Sequence, residues 1–252
     1  MGRAIAEQLG DRRAVAMLVG VYSVVRCFAG GSAIDYVRYG EEAAGIAAEC
    51  DDPALRAAIG TLPMFAYHFV GDGRAILAWA DRVLGGVGSD SGLGKEIFGF
   101  SPRAAALQAR VHAHVYLGQL EEARRAAKVA AEGAEAAGEQ EVLAWSLFAA
   151  SWVSYAAGIP GLGVEQARRS LAIGEKLDNE MVRVQGYCLL GMGYLTDAQP
   201  AAAREALLTS AAIARERRAA VIMLPLIFGA LAEAQVALGE RGRSPGVGPG
   251  RH

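Results

Sequence analysis

Residues 118–130 read GQLEEARRAAKVA, and the segments GIPGLGVEQARRS (158–170) and AQPAAAREALLTS (198–210) follow it at equal intervals. Each segment opens with a helix-terminating turn and continues as a helical pattern that ends on a small residue. The same turn recurs at Gly31, Gly71, Gly118, Gly158, Ala198 and Gly239, with successive spacings of 40, 47, 40, 40 and 41. A period near 40 with two helices per unit predicts an all-α fold, an α-solenoid of stacked helix pairs.

Two further series of positions, inside the second helix of each unit, repeat in the same register. One series is Ala43, Val83, Ala130, Ser170 and Ser210, and the other lies three residues earlier, at Gly40, Ala80, Ala127, Ala167 and Leu207. Packed helices lie roughly 8–10 Å apart, and a small residue at the crossing permits that approach. We therefore predict that these positions contact neighbouring helices. An Ala- and Gly-rich composition is the alternative, but it does not explain the fixed spacing.

The turns divide the chain into about five antiparallel helix pairs plus one unpaired C-terminal helix. The predicted pairs are 11–28 with 32–49, 53–69 with 74–84, 102–117 with 120–137, 140–157 with 162–177 and 180–196 with 200–217, and the last helix is 219–238. Pro53, Pro102 and Pro200 suit the first turn of a helix, whereas Pro63 and Pro225 fall inside predicted helices and should kink them. The chain is thus organised as N-terminal repeats (1–84), a loop insertion (85–101), C-terminal repeats (102–240) and a Gly/Pro-rich tail (241–252) that we expect to be disordered.

Short stretches of the repeat resemble the tetratricopeptide consensus, namely YLGQLEEA at 116–123 and LGMGYL at 190–195. More narrowly, GFSP at 99–102, ARERR at 214–218 and LAEA at 231–234 resemble the C-terminal helical region of bacterial adenylate/guanylate cyclases that carry a class III cyclase domain and an AAA-type ATPase module. Similar arrays occur in ATP-dependent transcriptional regulators of the maltose-regulator type. The resemblance covers about residues 4–240 and implies a tetratricopeptide-like solenoid with a regulatory role. It does not imply cyclase activity, because the sequence contains neither the cyclase domain nor the ATPase module.

Composition and charge argue against several classes of protein. The chain has 25 Lys and Arg against 27 Asp and Glu, so we expect no basic surface for nucleic acid. Cys27, Cys50 and Cys188 are far apart, which disfavours a zinc site or a disulfide framework and favours a reducing cytoplasm. The uncharged run 142–164 is nominally long enough to span a membrane, but GIPG at 158–161 should end a helix within it. We therefore expect no membrane association.

No arrangement of residues predicts catalysis, a metal site or a cofactor. His112 and His114 are two positions apart, so they point to different sides of a helix and cannot share a metal. The string SDSGLGKE at 89–96 is similar to a nucleotide-binding phosphate loop, but Ser89 replaces its first glycine and Glu96 replaces the hydroxyl that binds magnesium. We therefore predict that the protein is not an enzyme.

The most distinctive feature is an aromatic stripe on one predicted helix. Its members are spaced three, four and three residues apart, which places them on one helix face: Trp145, Phe148, Trp152 and Tyr155. Because the small residues of the repeat occupy another face, we predict that the stripe lies on the inner, concave wall of the superhelix. The offsets of the repeat extend this wall to Phe65, His68, His112, Cys188 and Met192. The alternative is that these side chains belong to the hydrophobic core.

A concave aromatic wall predicts binding of an amphipathic helix or an extended peptide, with aromatic anchors that supply most of the affinity. The resemblance adds the cyclase or ATPase domains of a related chain as candidate partners. Two alternatives are a small-ligand sensor and a truncated fragment without independent function. The unpaired last helix leaves an uncovered face, which predicts self-association into a homo-oligomer.

Overall fold

The computed structural model describes residues 2–239, which form consecutive α-helices packed as antiparallel pairs. The helices are α1 (Gly2–Gln8), α2 (Arg12–Phe28), α3 (Ala33–Ala48), α4 (Pro53–Val70), α5 (Gly73–Val87), α6 (Lys95–Phe98), α7 (Pro102–Tyr116), α8 (Leu120–Ala136), α9 (Gln140–Ala156), α10 (Leu162–Lys176), α11 (Glu180–Thr196), α12 (Pro200–Glu216) and α13 (Leu224–Ala237). A 3-10 turn at Val221–Met223 directly precedes α13. The fold is an all-α, tetratricopeptide-like solenoid, as predicted. The tail 241–252, predicted to be disordered, lies outside the described residues.

The sequence pattern predicted most helix boundaries correctly, and the differences lie near the ends of the chain and in the insertion. Helix α1 was not predicted; it packs on α2, and Arg3 forms ion pairs of 2.8 Å with Glu7 and Glu42. Residues 85–101 are not a plain loop, because α5 continues to Val87 and α6 forms a short helix within them. The last helix starts at Leu224, so Pro225 lies in its first turn, where no intrahelical N–H bond is lost. The predicted kink at Pro225 is therefore wrong.

Each of five units consists of a first helix (α2, α4, α7, α9 and α11) and a second helix (α3, α5, α8, α10 and α12). The first helices also pack against one another along the array, and α13 continues their row. All members of the two repeated series are buried, as predicted. Ser170 Oγ donates a hydrogen bond of 2.9 Å to the carbonyl of Ala144, and Ser210 Oγ donates one of 2.7 Å to that of Val184. The donor and the acceptor of the second bond each lie one repeat further along the chain than those of the first bond. The repeat in the sequence is therefore also a repeat in the contacts between helices.

The crossing of α11 and α12 shows how strictly the space between paired helices is filled. Here the second helix carries the large Leu207, and the small residue is Gly191 on the first helix. A Cβ atom at Gly191 would lie 2.5 Å from Leu207 Cγ and 3.1 Å from the carbonyl oxygen of Ala203. In this unit the small residue therefore lies on the first helix, whereas in the other units it lies on the second helix. Either arrangement allows the two helices to approach closely.

Polar residues start many of the helices. The side chain of the residue before the helix accepts a hydrogen bond from the third backbone N–H of the helix, as at Asp11, Ser32, Asp52, Asp72, Ser101 and Asn179. Pro53, Pro102 and Pro200 occupy first turns, as predicted. Pro63 lies inside α4, as predicted.

No helix within residues 2–239 has the length and apolar character needed to cross a bilayer. The uncharged run 142–164 is divided between α9, which ends at Ala156, and α10, which begins at Leu162. The glycines and proline between them therefore separate two helices, as the sequence indicated.

We expect Gly191→Ala to lower the free energy of unfolding by about 1–3 kcal/mol, because the added methyl group overpacks the α11–α12 crossing. Gly45→Ala is the matched control: Gly45 lies inside α3, where a Cβ atom would meet nothing within 4 Å. That change should raise the free energy of unfolding by up to about 1 kcal/mol, because alanine favours helix. Urea unfolding followed by circular dichroism measures both. Equal effects of the two substitutions would contradict the close packing at Gly191.

Candidate functional site

The first helices of the units enclose a large, partly open cavity of about 1010 Å³. Side chains of α2, α4, α7, α9 and α11 line it, together with the start of α3, residues 221–226 and the end of the insertion. The position follows from the repeat, because the first helices pack against one another in one row and each presents one face to the inside. The concave wall predicted from the sequence is thus the wall of this cavity.

Six of the nine predicted wall residues line the cavity, namely Phe65, His68, His112, Trp145, Phe148 and Trp152. Their rings pack mostly edge to face across neighbouring helices. Ring centroids lie 6.0 Å apart for Phe65 and Trp145, and 5.5 Å apart for His112 and Trp152. Phe148 is only 3% exposed and also belongs to the hydrophobic core, whereas Trp145 and Trp152 are partly exposed. Phe148 therefore fits the interpretation of the stripe as core, whereas Trp145 and Trp152 fit the interpretation as an inner wall.

The other three predicted wall residues do not line the cavity, so their assignment to its wall is corrected. Cys188 and Met192 are 0% and 2% exposed, in a core cluster that includes Ile227 of α13. The last helix packs on α11, so these two residues lie in the interface between the two helices. Tyr155 lies beyond the cavity, and its hydroxyl donates a hydrogen bond of 2.7 Å to Glu233 Oε2.

Two histidines from neighbouring units meet at the wall. The rings of His68 on α4 and His112 on α7 are 4.2 Å apart between centroids. The hydroxyl of Tyr116 lies 3.2 Å from His68 Nδ1 and donates to the His68 carbonyl at 2.9 Å. Burial lowers the pKa of His68 to about 4, and burial, followed by repulsion from His68, lowers the pKa of His112 well below its usual range. The two imidazoles are therefore neutral at pH 7.

The insertion contributes to the site in a way that the sequence pattern did not predict. Phe98 and Phe100 line the cavity, and the Phe100 ring lies 5.3 Å from that of Trp145. Glu139 holds the segment in place: its carboxylate pairs with Lys95 Nζ at 2.8 Å and accepts a hydrogen bond from the Ser101 backbone N–H at 3.0 Å. The lysine of the phosphate-loop-like string therefore forms a structural ion pair.

The first and last units meet at one side of the cavity. Phe28 at the end of α2 and Ile222 in the 3-10 turn each pack against both of the core clusters formed by the two ends of the array. A Cβ atom at Gly30 would lie 3.3 Å from Val221 Cγ1, so the two segments approach each other closely. Residues 221–226 thereby close part of the groove that an open solenoid would leave. No sequence pattern indicated this contact, because it depends on the curvature of the whole array.

Among the described residues that line the cavity, Glu141 alone carries a formal charge, and its Oε1 accepts a hydrogen bond of 2.9 Å from Asn179 Nδ2. Within residues 2–239, no group of three or more His, Cys, Asp or Glu side chains is arranged to hold a metal ion. The wall is otherwise aromatic and aliphatic, with the neutral polar groups of Gln108, His112 and Gln185. Such a site is suited to binding an apolar ligand that carries few polar groups.

No protein-family model and no curated protein matches the chain. Among solved structures, a Rap protein complexed with competence and sporulation factor aligns with a TM-score of 0.67 and 16% identity, over 92% of this chain and 64% of that chain. BtubC (BKLC) from P. vanneervenii aligns with a TM-score of 0.59 and 16% identity, over 86% of this chain and 88% of that chain. The apo form of RapI aligns with a TM-score of 0.55 and 13% identity, over 91% of this chain and 64% of that chain.

These likenesses show a shared fold, a tetratricopeptide-like helical repeat. The chain spans 64% of the length of each of the two Rap proteins. These comparisons do not test the narrower resemblance to cyclase tails, which stays a prediction.

We expect the cavity histidines to make stability fall at acid pH. An unfolded imidazole takes up a proton as the pH falls below about 6.5, whereas folded His68 remains neutral down to about pH 4. The free energy of unfolding should therefore be highest at neutral pH and decrease between these values, because the unfolded state binds more protons there. Urea unfolding at several pH values between 7.5 and 4.5 measures the slope.

The double substitution His68→Gln and His112→Gln is the matched comparison, because glutamine keeps a polar side chain at each position but does not titrate. It should flatten the slope relative to the native protein. An unchanged slope would show that other groups cause the acid sensitivity.

Proposed function

We propose that this tetratricopeptide-like array is a non-catalytic binding module that encloses a short peptide, or a flexible segment of a protein, in its aromatic cavity. The observation that carries the proposal is the cavity itself: aromatic side chains from successive units line one volume of about 1010 Å³. Aromatic anchors in such a setting supply much of the affinity for a partner.

The shape of the cavity supports a chain-like occupant. Its wall runs along several first helices, and each of them contributes side chains from one face. Successive residues of an extended segment can contact successive helices of such a wall, and grooves commonly recognise peptides in this way. The Rap protein that shares this fold is complexed with competence and sporulation factor, which gives a precedent for ligand binding on the same architecture.

A small hydrophobic metabolite is the second candidate, and the closing segment 221–226 favours it. The volume is at the upper end of the roughly 300–1,000 Å³ typical of small-ligand pockets. A sensor of this kind is also the role expected from the resemblance to ATP-dependent transcriptional regulators. Under the resemblance to cyclase tails, by contrast, the bound segment would belong to a cyclase or ATPase domain of a related chain.

We place this role in the cytoplasm. Cys27, Cys50 and Cys188 are all free thiols, as expected in a reducing compartment. Burial raises the pKa of Cys27 and of Cys188 to about 12, which makes both thiols unreactive.

We also propose self-association through α13, which has no second helix within the described residues and leaves Val236 59% exposed. Light scattering should give a mass above that of one chain, and Val236→Glu should lower it. A monomer at high concentration would contradict this proposal.

We expect Trp152→Ala to weaken the binding of peptides selected from a random dodecamer library by at least about tenfold, because it removes a central aromatic anchor. Isothermal titration calorimetry measures the affinity. Trp79→Ala is the matched control: Trp79 is also a partly buried aromatic residue, but it lies on the second helix α5, outside the cavity.

The control should lose stability without losing peptide affinity. Equal loss of affinity in both variants would show that the cavity is not the binding site. Failure of the library to yield any binder, together with tight binding of a compound from a metabolite screen, would favour the sensor.

A further inference from the structure

Four buried polar atoms at the cavity wall have no hydrogen-bond partner within residues 2–239. They are Gln108 Oε1 and His112 Nε2 on α7, Trp145 Nε1 on α9 and Gln185 Oε1 on α11. All four residues line the same cavity, and Gln108 and His112 are only 3% and 6% exposed. Buried polar groups are normally paired, because leaving one unpaired is costly. Their location on three successive first helices indicates a polar strip inside an apolar wall.

The strip offers both donors and acceptors. Gln108 Nε2 lies 3.2 Å from His112 Nδ1 and donates to it, so the ring proton of His112 is on Nε2, which is a donor, while Gln108 Oε1 is an acceptor. Reversal of the Gln108 amide would exchange both roles, so this pair presents one donor and one acceptor in either orientation. The indole N–H of Trp145 is a further donor, and Gln185 Oε1 is a further acceptor.

The strip is also electrically neutral. Burial and repulsion from His68 lower the pKa of His112 well below its usual range, so its ring is uncharged at pH 7. Glu141 is the one formal charge among the described lining residues, and no Lys or Arg is among them. A carboxylate or phosphate would thus enter an apolar cavity without a cation to balance it, which is unfavourable.

We propose that this polar strip receives the backbone amides of an uncharged peptide segment with aliphatic or aromatic side chains. An amide carries one N–H donor and one C=O acceptor and no charge, so two successive amides match the two donors and two acceptors of the strip in type and charge. A carboxylate presents acceptors alone, and an ammonium group presents donors alone, so neither satisfies both kinds of atom. The occupant is therefore an interior stretch of a chain or a peptide with a blocked carboxyl end. This inference rests on the proposed binding function.

The test compares two probes, N-acetyl-Leu-Phe-Leu-amide and the same tripeptide with a free carboxylate. Binding is followed by tryptophan fluorescence of the Trp79→Phe protein, in which the described tryptophans that remain, Trp145 and Trp152, both line the cavity. The amide should bind at least about tenfold more tightly than the acid. Equal affinity of the two probes would overturn the proposed neutrality of the site.

Two substitutions test the strip itself, Gln108→Leu and Gln185→Leu. Each should weaken binding of the amide at least about fivefold. The melting temperature without ligand should stay the same or rise for Gln185→Leu, because an unpaired buried polar group is removed, and should fall slightly for Gln108→Leu, because His112 Nδ1 loses its hydrogen bond. Gln166→Leu, on α10 and outside this cavity, is the matched control and should change neither. Unchanged affinity in both cavity variants would overturn the proposal. So would a loss of affinity that is matched by a loss of melting temperature in both, because the side chains would then be structural.

The outcomes also separate this inference from the proposed function. If library peptides bind the cavity but the blocked tripeptide does not, the inference fails and the binding function remains. If neither the library peptides nor the tripeptide binds, both fail.

Discussion

The close approach of the two helices in each unit is the constraint on which the rest of the molecule depends. At the crossings of α9 with α10 and of α11 with α12, the buried hydroxyls of Ser170 and Ser210 reach across to backbone carbonyls on the facing helix, at 2.9 and 2.7 Å. These bonds require the two backbones to be nearly in contact, and only small residues leave that space. Because the same approach is reproduced from one unit to the next, the first helices form a row with one common face inward. The cavity is a consequence of that row.

The curvature of the array turns the row of first helices into a partly enclosed site. Each unit is rotated slightly from the one before it, as in other repeat proteins, and the rotations add along the array. By the fifth unit the chain has turned enough for Val221 to approach Gly30 near the end of α2. The bend before the 3-10 turn uses left-handed backbone conformations at Arg218 and Ala220, with φ of +51° and +49°. Alanine and arginine adopt this region at a cost. Asp178, one repeat before Arg218, has the same conformation, so Ala220 is the additional left-handed residue of this bend.

The sequence predicted what is local and repeated, and it failed where distant parts of the chain meet. Helix boundaries followed from capping residues and turns, and the inward face of α9 followed from the spacing of Trp145 and Trp152. The pairing of His68 with His112 joins two units at positions that are not equivalent in the repeat, so neither histidine alone indicated it. Cys188 was assigned to the wall by its register, but the repeat does not show that α13 would cover it. The polar strip was missed for a related reason: Gln108 and Gln185 are ordinary helix residues until the curved array buries them in one cavity.

The inner and outer faces of the array follow different rules, and this difference argues for a binding role. On the outer side, α8 carries exposed ion pairs one turn apart, such as Arg124 with Glu121 at 3.1 Å, which suit a solvated helix. On the inner side, a stack that needed only stability would pair its buried polar groups or replace them with apolar residues. Instead the wall retains an indole N–H on Trp145 and an amide oxygen on Gln185 that have no partner in the described part of the chain. Local departures from the rules of stable folding are typical of functional sites. We therefore interpret the unpaired atoms as donors and acceptors whose hydrogen-bond partners are supplied by the ligand.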